Sequence, residues 1–233
     1  MRDEVILTSS EIFPLPDTTH ACLLRATPQT VDRLILDIID YFKAKSLPTT
    51  IFISPACTPP DLAERLLRQG FIKQEAEEAW LTFDNLLRYE VPTVASAMSI
   101  ELIDSSQALT FAQTFMTAFD MPLDFAPAML QLLTPSINLP GVYHYLAWLE
   151  GQPVGTFSLI CGEKIGILGS AGVIPAQRGS KTIFSLCTHV ARQAQQHGLD
   201  TLILQTTAGA LLERFLRING FKRAFTRIGY TLS

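Results

Sequence analysis

The chain has 233 residues, of which 48% are hydrophobic and only 17% are charged, so it is long and apolar enough to fold around its own core. Its formal net charge is −4 and it has no long basic run, which argues against general nucleic-acid binding, because such binding relies on neutralising phosphates. The four cysteines lack metal-site spacing, and no apolar run is long enough to span a bilayer. We therefore expect a cytoplasmic protein with no signal peptide, no metal site, and neither a nucleic acid nor a membrane as partner.

The first ninety residues predict the order strand, helix, strand, helix, strand. The predicted strands cover residues 21–25, 50–53 and 71–83; the predicted helices cover residues 30–44, where apolar residues recur at helical spacing, and 61–69, after two prolines. The stretch that follows has little periodicity and contains a proline and a serine, so we interpret residues 88–98 as a linker. This pattern predicts two domains, residues 1–90 and 98–233.

The second domain is predicted to begin with two helices and to continue as a mixed sheet. The helices cover residues 105–119 and 125–133, and a hairpin follows with strands at 143–149 and 154–160 around a turn at 150–153. A strand over 165–173 leads into an amphipathic helix over 182–197, which Gly198 ends. The next strand, 201–205, should lie parallel to 165–173 through a right-handed crossover.

A short polar turn separates the strand 165–173 from the amphipathic helix. It reads Ile-Pro-Ala-Gln-Arg-Gly-Ser-Lys-Thr from Ile174 to Thr182. A helix start presents free backbone N–H groups and the positive end of the helix dipole, and Arg178 and Lys181 add mobile positive charge. The turn therefore predicts an anion site, and a ligand that carries phosphate suits it.

This segment resembles the acetyl-CoA-binding core of the GNAT superfamily of N-acyltransferases. In that family a strand ends in V-x-P-x-x-R-G-x-G-x-G/A, and the helix after it holds the CoA pyrophosphate. The matching residues here are Val173, Pro175, Arg178 and Gly179, and the later block, roughly Y/F-x-x-x-G-F, is matched by Phe215, Gly220 and Phe221. The resemblance covers about residues 98–233.

The resemblance implies acetyl-CoA as the cosubstrate and names the residues that would bind it. Pantetheine would lie against Ala171, Gly172 and Val173, with Gly169 and Gly172 leaving room for a close approach, and the phosphates would lie at Arg178, Gly179, Ser180, Lys181 and Thr182. Two features depart from the family pattern. With Arg178 as the family arginine, Lys181 and Ile183 stand at the later glycine positions; counting from Gln177 instead, the small positions are Ser180 and Thr182. The tyrosine that often serves the family as general acid is replaced by Leu216.

Two helices of the chain carry nearly the same motif. Residues 62–71 and 211–221 share Leu-x-Glu-Arg-x-Leu-Arg and a following Gly-Phe, with one inserted residue in the second copy. Each follows an apolar strand, so we predict an internal repeat. The fold class is then α/β with a mixed sheet, built as two tandem GNAT-like units. The N-terminal half is degenerate and lacks an Arg-Gly turn, so we expect it not to bind CoA.

Two kinds of function follow from the resemblance. The first is an N-acetyltransferase that transfers the acetyl group of acetyl-CoA directly to a small-molecule or peptide amine. The second is a non-catalytic GNAT-like module that binds CoA or regulates another protein. The Arg178-Gly179 turn favours the first, whereas Leu216 and the altered glycine pattern favour the second. A Walker-type nucleotide site is disfavoured because G-x-x-x-x-G-K-[ST] is absent.

The sequence does not identify the catalytic acid and base. The candidates, each with a structural alternative, are Glu150, Glu163, Tyr143, Tyr145, Tyr230, His144, His189 and His197. We expect no covalent cysteine intermediate, because Cys161 and Cys187 have no histidine at a spacing that suggests a thiolate pair. We also allow for a homodimer.

Overall fold

The computed structural model describes residues 4–93 and 97–232. Along the chain its elements are β1 (Ile6–Thr8), β2 (His20–Cys22), α1 (Val31–Ala44), β3 (Thr50–Ile53), α2 (Leu62–Arg68), β4 (Phe71–Phe83), β5 (Met98–Leu102), α3 (Ala108–Ala118), α4 (Ala126–Leu133), β6 (Val142–Leu149), β7 (Gln152–Cys161), β8 (Ile165–Val173), α5 (Ser180–Gln196), β9 (Thr201–Thr207), α6 (Leu211–Ile218) and β10 (Lys222–Leu232). Short 3₁₀ turns occupy Leu86–Arg88, Ser105–Gln107, Leu123–Phe125, Thr134–Ser136 and Pro175–Gln177.

The helices and strands predicted from the sequence are confirmed, with ends that move by a few residues at most. No element was predicted for β1, β5 or β10, whose residues lie largely at half-buried or exposed positions. In β5 the apolar residues Met98, Ile100 and Leu102 do alternate with Ser99 and Glu101, but over only five residues. The predicted linker includes residues 94–96, which lie outside the described residues; 89–93 have no regular secondary structure.

The described chain separates into two compact units. One contains the residues as far as Leu81 together with those from Thr206 onward, and the other contains Thr82–Gln205. The last residues join the first unit because β10 pairs antiparallel with β3, Tyr230 opposite Ile51. The tandem domains 1–90 and 98–233 therefore remain an interpretation of the sequence, whereas the compact units group the C-terminal residues with the N-terminal ones.

The first unit is a mixed sheet with the order β1-β2-β3-β10-β4. β2 and β3 are parallel, and the pairs β1/β2 and β3/β10 are antiparallel. Helices α1 and α2 bury an apolar face on this sheet; the core includes Leu34, Ile35, Ile38, Phe42, Leu62 and Leu66, with Ile51 and Tyr230 from the strands. The helical spacing of the apolar residues in α1 thus corresponds to its buried face.

The second unit is a sheet with the order β9-β8-β7-β6-β5, parallel between β8 and β9 and antiparallel elsewhere. Successive residues of β6 face opposite sides of it. Leu146 packs in a core with Phe111 of α3 and Leu133 of α4, whereas the hydroxyl of Tyr145 donates to Gln193 of α5. Helices α3 and α4 therefore cover one face of the sheet and α5 covers the other.

The shared motif of α2 and α6 has a local structural role in both places. Each helix is followed by a glycine in the left-handed region, with φ of +88° at Gly70 and +101° at Gly220. This conformation ends a helix and favours glycine. The motif glutamates differ: Glu64 is exposed, whereas Glu213 is buried and accepts hydrogen bonds from Arg223. The internal repeat stays a prediction.

Candidate functional site

Strands β8 and β9 are paired over only part of their length. The parallel register joins Ile165–Leu168 of β8 to Thr201–Leu204 of β9, and β8 continues from there to Val173. The continuing part of β8 carries Ala171, Gly172 and Val173, three of the residues predicted to bind the cosubstrate. Only Val173 is fully buried; the other two are half-buried.

A β-bulge shapes β8 just beyond the point where its pairing with β9 ends. Gly169 lies opposite Ser158 of β7 and Gly172 lies opposite Thr156, so Ser170 and Ala171 together face the single residue between them on β7. Ser170 adopts a φ of +51°, a conformation that is uncommon for a residue other than glycine. A buried hydroxyl holds this conformation, since Thr156 Oγ1 donates to the Ser170 carbonyl at 2.7 Å. The bulge re-aims backbone groups at this end of the strand.

The polar turn between β8 and α5 forms the next part of the site. Gly179 is the N-cap of α5 and provides no side-chain cap, so it leaves the first backbone N–H groups of the helix without a capping side chain. The first turn of α5 contains no acidic residue, and Lys181 is exposed there. Thr182 is half-buried; Ser180 begins the helix, and its side chain lies outside the described part of the structure. A Cβ on Gly179 would meet nothing within 4 Å. This turn suits an anion.

Arg178 is held more firmly than the sequence suggested. Its Nε donates to the Val173 carbonyl at 3.2 Å, and its Nη2 donates to the Ala118 carbonyl at 2.9 Å. The same Nη2 lies 2.8 Å from a carboxylate oxygen of Asp120. Through these contacts Arg178 connects the end of β8 to the end of α3. Its place in a phosphate site stays a prediction.

Asp120 is the residue of this site that the sequence analysis missed. It follows α3 with a φ of +54°, and the Met121 amide donates to the Met116 carbonyl at 2.8 Å. A left-handed residue with this bond across the helix end is a Schellman-type C-cap. The available signal was an aspartate placed between a helix and Pro122, because aspartate tolerates this conformation better than most residues.

Gly172 allows α3 to lie close to β8. A Cβ at this position would lie 2.9 Å from the Phe119 ring and 3.0 Å from the Ala118 Cβ. On this face of β8, the space that the sequence analysis left for pantetheine at Gly172 is filled by the end of α3. Gly169 is different, because a Cβ there would meet nothing within 4 Å.

Comparison with known proteins shows the fold to which this geometry belongs. No protein-family model and no curated protein sequence matches the chain. Among solved structures, a GCN5-related N-acetyltransferase from Sphaerobacter thermophilus has a TM-score of 0.70 at 14% identity, over 97% of this chain and 75% of that one. A GCN5-related N-acetyltransferase from Kribbella flavida has a TM-score of 0.67 at 16% identity, over 92% and 81%. A tandem GNAT protein from the clavulanic acid biosynthesis pathway has a TM-score of 0.65 at 13% identity, over 91% and 74%.

The chain has a GNAT acetyltransferase fold. The mixed α/β class expected from the sequence is therefore confirmed, and one of the similar structures is itself a tandem protein. At sequence identities this low, the similarity shows a shared backbone fold. The chemistry has to be inferred from the residues of the site.

Most of the acid and base candidates have structural roles in this fold. The Tyr145 hydroxyl donates to Gln193 Oε1 at 3.1 Å, and burial raises the pKa of Tyr145 to about 12. His144 lies between two serines, with Nε2 2.9 Å from the Ser136 hydroxyl and Nδ1 2.7 Å from the Ser158 hydroxyl. Burial lowers the pKa of His144, so its neutral form is favoured. Both side chains support packing of the sheet against its helices.

The remaining candidates lie away from the bulge or at the surface. The His197 and Tyr143 rings stack at 4.1 Å, and the turn that carries Glu163 precedes β8, so it lies at the opposite end of that strand from Val173. Glu150 is exposed in the two-residue turn of the β6–β7 hairpin. His189 is partly buried in α5; no described residue hydrogen-bonds its Nε2, and its ring centroid lies 5.8 Å from that of Tyr145. Tyr230 is buried in the first unit.

Three further features concern the cysteines, possible metal ligands and possible membrane-spanning helices. All four cysteines are free thiols. Within the described residues, no group of three or more His, Cys, Asp or Glu side chains is arranged to hold a metal ion. The described helices include none that is both long and apolar enough to cross a membrane.

Proposed function

We propose that the chain is an N-acetyltransferase that transfers the acetyl group of acetyl-CoA to the amine of a small molecule or peptide by direct attack. The observation that carries this proposal is the end of β8, where pairing with β9 stops, a bulge turns the backbone, and a basic turn leads to an uncapped helix. The GNAT fold supports it. The four free thiols fit a reducing compartment, and we keep the cytoplasm as the expected location.

The proposed roles follow from the position of each residue. Ala171, Gly172 and Val173 would line the pantetheine with their backbone, along the edge of β8 that β9 leaves unpaired and not on the face that α3 covers. The backbone at Gly179, Ser180, Lys181 and Thr182 would donate to the pyrophosphate, with Arg178 beside it. Two features fit such a ligand: the first turn of α5 lacks a side-chain cap, and open space surrounds Gly179. A matching turn before α1 would suit an anion less well, because Asp32 lies in the first turn of that helix.

The chemistry needs few specialised groups. Acetyl-CoA supplies an activated acyl group, and the backbone at the bulge would polarise its carbonyl. The neutral amine attacks and loses its proton to water or to a pocket carboxylate or histidine, so the rate should rise with pH until the amine is largely neutral. The leaving group is an alkyl thiolate like that of cysteine, whose thiol has a pKa of about 8.5, so solvent can protonate it at neutral pH without a tyrosine at the position of Leu216.

The alternative is a non-catalytic GNAT-like module that binds CoA or regulates another protein. A specific observation favours it: Leu216 occupies the position of the usual acid and is buried, while the Tyr145 hydroxyl is committed to Gln193. Under this alternative CoA binds, but no amine is acetylated.

Calorimetric titration with acetyl-CoA and with CoA tests the binding site. We expect one equivalent of ligand per chain, because the N-terminal half lacks the Arg-Gly turn; two equivalents would contradict the assignment. Lys181→Ala should weaken binding about three- to tenfold, the effect of one exposed charge on a phosphate. Lys164→Ala, which removes an exposed lysine in the turn before β8, should leave the affinity unchanged. If the two variants bind CoA with equal affinity, Lys181 does not contribute to the site.

Incubation with acetyl-CoA and a broad panel of small amines and peptides tests catalysis. Acetylated amine detected by mass spectrometry, with one CoA thiol released per product, supports the enzyme. Binding of CoA without product from any amine supports the alternative module. A chain that binds neither CoA nor acetyl-CoA would refute the enzyme and the CoA-binding form of the alternative.

A further inference from the structure

We propose that Asp120 is a positioning residue that couples cosubstrate binding in the β8–α5 turn to the C-terminal end of α3. It does so by fixing Arg178. This inference rests on the proposed acetyl-CoA site. It assigns Arg178 a second role, as the link between the cosubstrate turn and the segment that begins at the C-terminus of α3.

Two of the three guanidinium nitrogens of Arg178 are occupied by contacts within the protein. Nε and Nη2 are used by the protein, since they bind the carbonyls of Val173 and Ala118 and the carboxylate of Asp120. Within the described residues, nothing accepts a hydrogen bond from Nη1. A guanidinium is planar and rigid, so fixing one edge fixes the direction of the other. The contacts to α3 and β8 thereby fix the orientation of the whole guanidinium, Nη1 included, on the residue that precedes the N-cap of α5.

The ion pair by itself is a weak clamp. The Arg178 and Asp120 side chains are 45% and 63% exposed, and pairs exposed to this extent contribute little to stability. A pyrophosphate at α5 would add a second anion on the other side of the same cation and would reduce its freedom to move. Arg178 would then hold the end of α3 more firmly when the cosubstrate is bound than when it is absent.

The coupling extends to the surface that approaches β8. Phe119 and Ala118 lie directly over Gly172, one residue from Val173, whose carbonyl Arg178 binds. By thermodynamic reciprocity, a ligand that stabilises these contacts is itself stabilised by them. The cosubstrate turn and the end of α3 are thus joined through one side chain, and acetyl-CoA would order the end of α3 when it binds.

Hydrogen exchange with CoA as the probe tests the coupling. In the wild-type protein, saturating CoA should slow exchange of the Asp120 and Met121 amides, which close the last turn of α3, by about fivefold or more, the lower end of ordinary coupling. Asp120→Asn should abolish this protection while CoA still binds. Asparagine tolerates the left-handed backbone of position 120, so the variant removes the charge without straining the turn.

Two further variants complete the experiment. Asp124→Asn removes an exposed carboxylate a few residues away and should retain the full protection. Arg178→Lys keeps the positive charge but loses the fork that reaches three acceptors, so it should lose the protection as Asp120→Asn does. CoA affinity is measured by calorimetry for every variant, and exchange is compared at saturation.

The outcomes separate this inference from the function on which it rests. If wild-type protein binds CoA but the end of α3 shows no protection, or if Asp120→Asn keeps the protection, the coupling is refuted and the acetyl-CoA site stands. If neither the wild-type protein nor any variant binds CoA, the proposed function fails and the coupling fails with it.

Discussion

At the scale of single residues, the conformation of the candidate site depends on a few buried polar contacts. Ser170 adopts a left-handed conformation, and its carbonyl accepts a hydrogen bond from the hydroxyl of Thr156, whose side chain is fully buried. A residue in a sparsely populated conformation needs such support from its surroundings. The hydroxyl of Thr156 is therefore a support for the bulge at the end of β8.

Replacing Thr156 with valine tests this support. Thr156→Val should lower the free energy of unfolding by about 1 kcal/mol, because the Ser170 carbonyl loses its donor. Acetyl transfer should fall by about tenfold if the bulge aims the backbone at the thioester. Thr188→Val is the matched control, since Thr188 is also buried and donates to a backbone carbonyl, that of Ser185, but within α5. If Thr156→Val transfers acetyl groups at the wild-type rate but is less stable, the bulge has only a structural role.

The cysteines provide a second prediction at this scale. Burial raises the pKa of Cys187 to about 11 and raises that of Cys161 as well, so both stay protonated at neutral pH. Cys161→Ser and Cys187→Ala should therefore leave the turnover number within about tenfold of wild type, or about 1.4 kcal/mol. Kinetics and intact-mass measurement during turnover check this. An acetylated cysteine, with activity lost in the matching variant, would contradict direct transfer.

At the scale of elements, the close approach of α3 to β8 determines the shape of the site. Gly172 of β8 pairs with Thr156 of β7, which in turn pairs with Leu146 of β6. These three residues form a row across the sheet on the face that α3 covers. The absence of a side chain at Gly172 lets Ala118 and Phe119 lie against the strand and brings the Ala118 carbonyl to Arg178. Packing between these two elements and positioning of Arg178 therefore depend on each other.

A pair of glycine variants in β8 tests this dependence. Gly172→Ala should lower the free energy of unfolding by about 1–3 kcal/mol, because the new methyl group forces the end of α3 outward. Gly169→Ala adds the same methyl group where nothing lies within 4 Å, so stability should be unchanged or slightly higher. Denaturant unfolding of the two variants makes the comparison. Equal stability of the two variants would show that α3 moves aside without cost.

At the scale of the whole molecule, buried histidines make stability depend on pH. His20, His144 and His189 each have a pKa lowered from the ordinary value of 6.5, with burial as the largest cause. When the pH falls below 6.5, the unfolded chain takes up protons at these positions before the folded protein does. Protonation therefore favours the unfolded state, and stability is lost from about pH 6.5 downward.

Unfolding by denaturant at a series of pH values checks this expectation. The free energy of unfolding should be level above about pH 7.5 and should fall as the pH is lowered toward about 5, with up to 1.4 kcal/mol per pH unit for each histidine. His144→Gln keeps a hydrogen-bonding side chain but does not titrate, so its curve should fall less steeply below pH 6.5. A wild-type stability that stays constant between pH 7.5 and 5 would contradict the role of burial.

The sequence by itself determined the elements whose causes are local. The apolar spacing of α1, the glycine after α5 and the hairpin turn at Glu150 and Gly151 act over a few residues, so the predicted positions agree with the structure. The strand, basic turn and helix from Ile165 onward are equally local. They were sufficient to suggest the GNAT fold that comparison with solved structures shows.

Only the tertiary structure decided the contacts between residues far apart in the sequence. Asp120 and Arg178 are separated by 58 positions, and no periodicity connects an aspartate after one helix to an arginine before another. The return of β10 to pair with β3 likewise depends on a partner far along the chain, and the bulge at Ser170 depends on the register of β8 against the preceding strand β7. These contacts arise from packing of complete elements, because a side chain finds its partner only after the backbone has brought both to the same place.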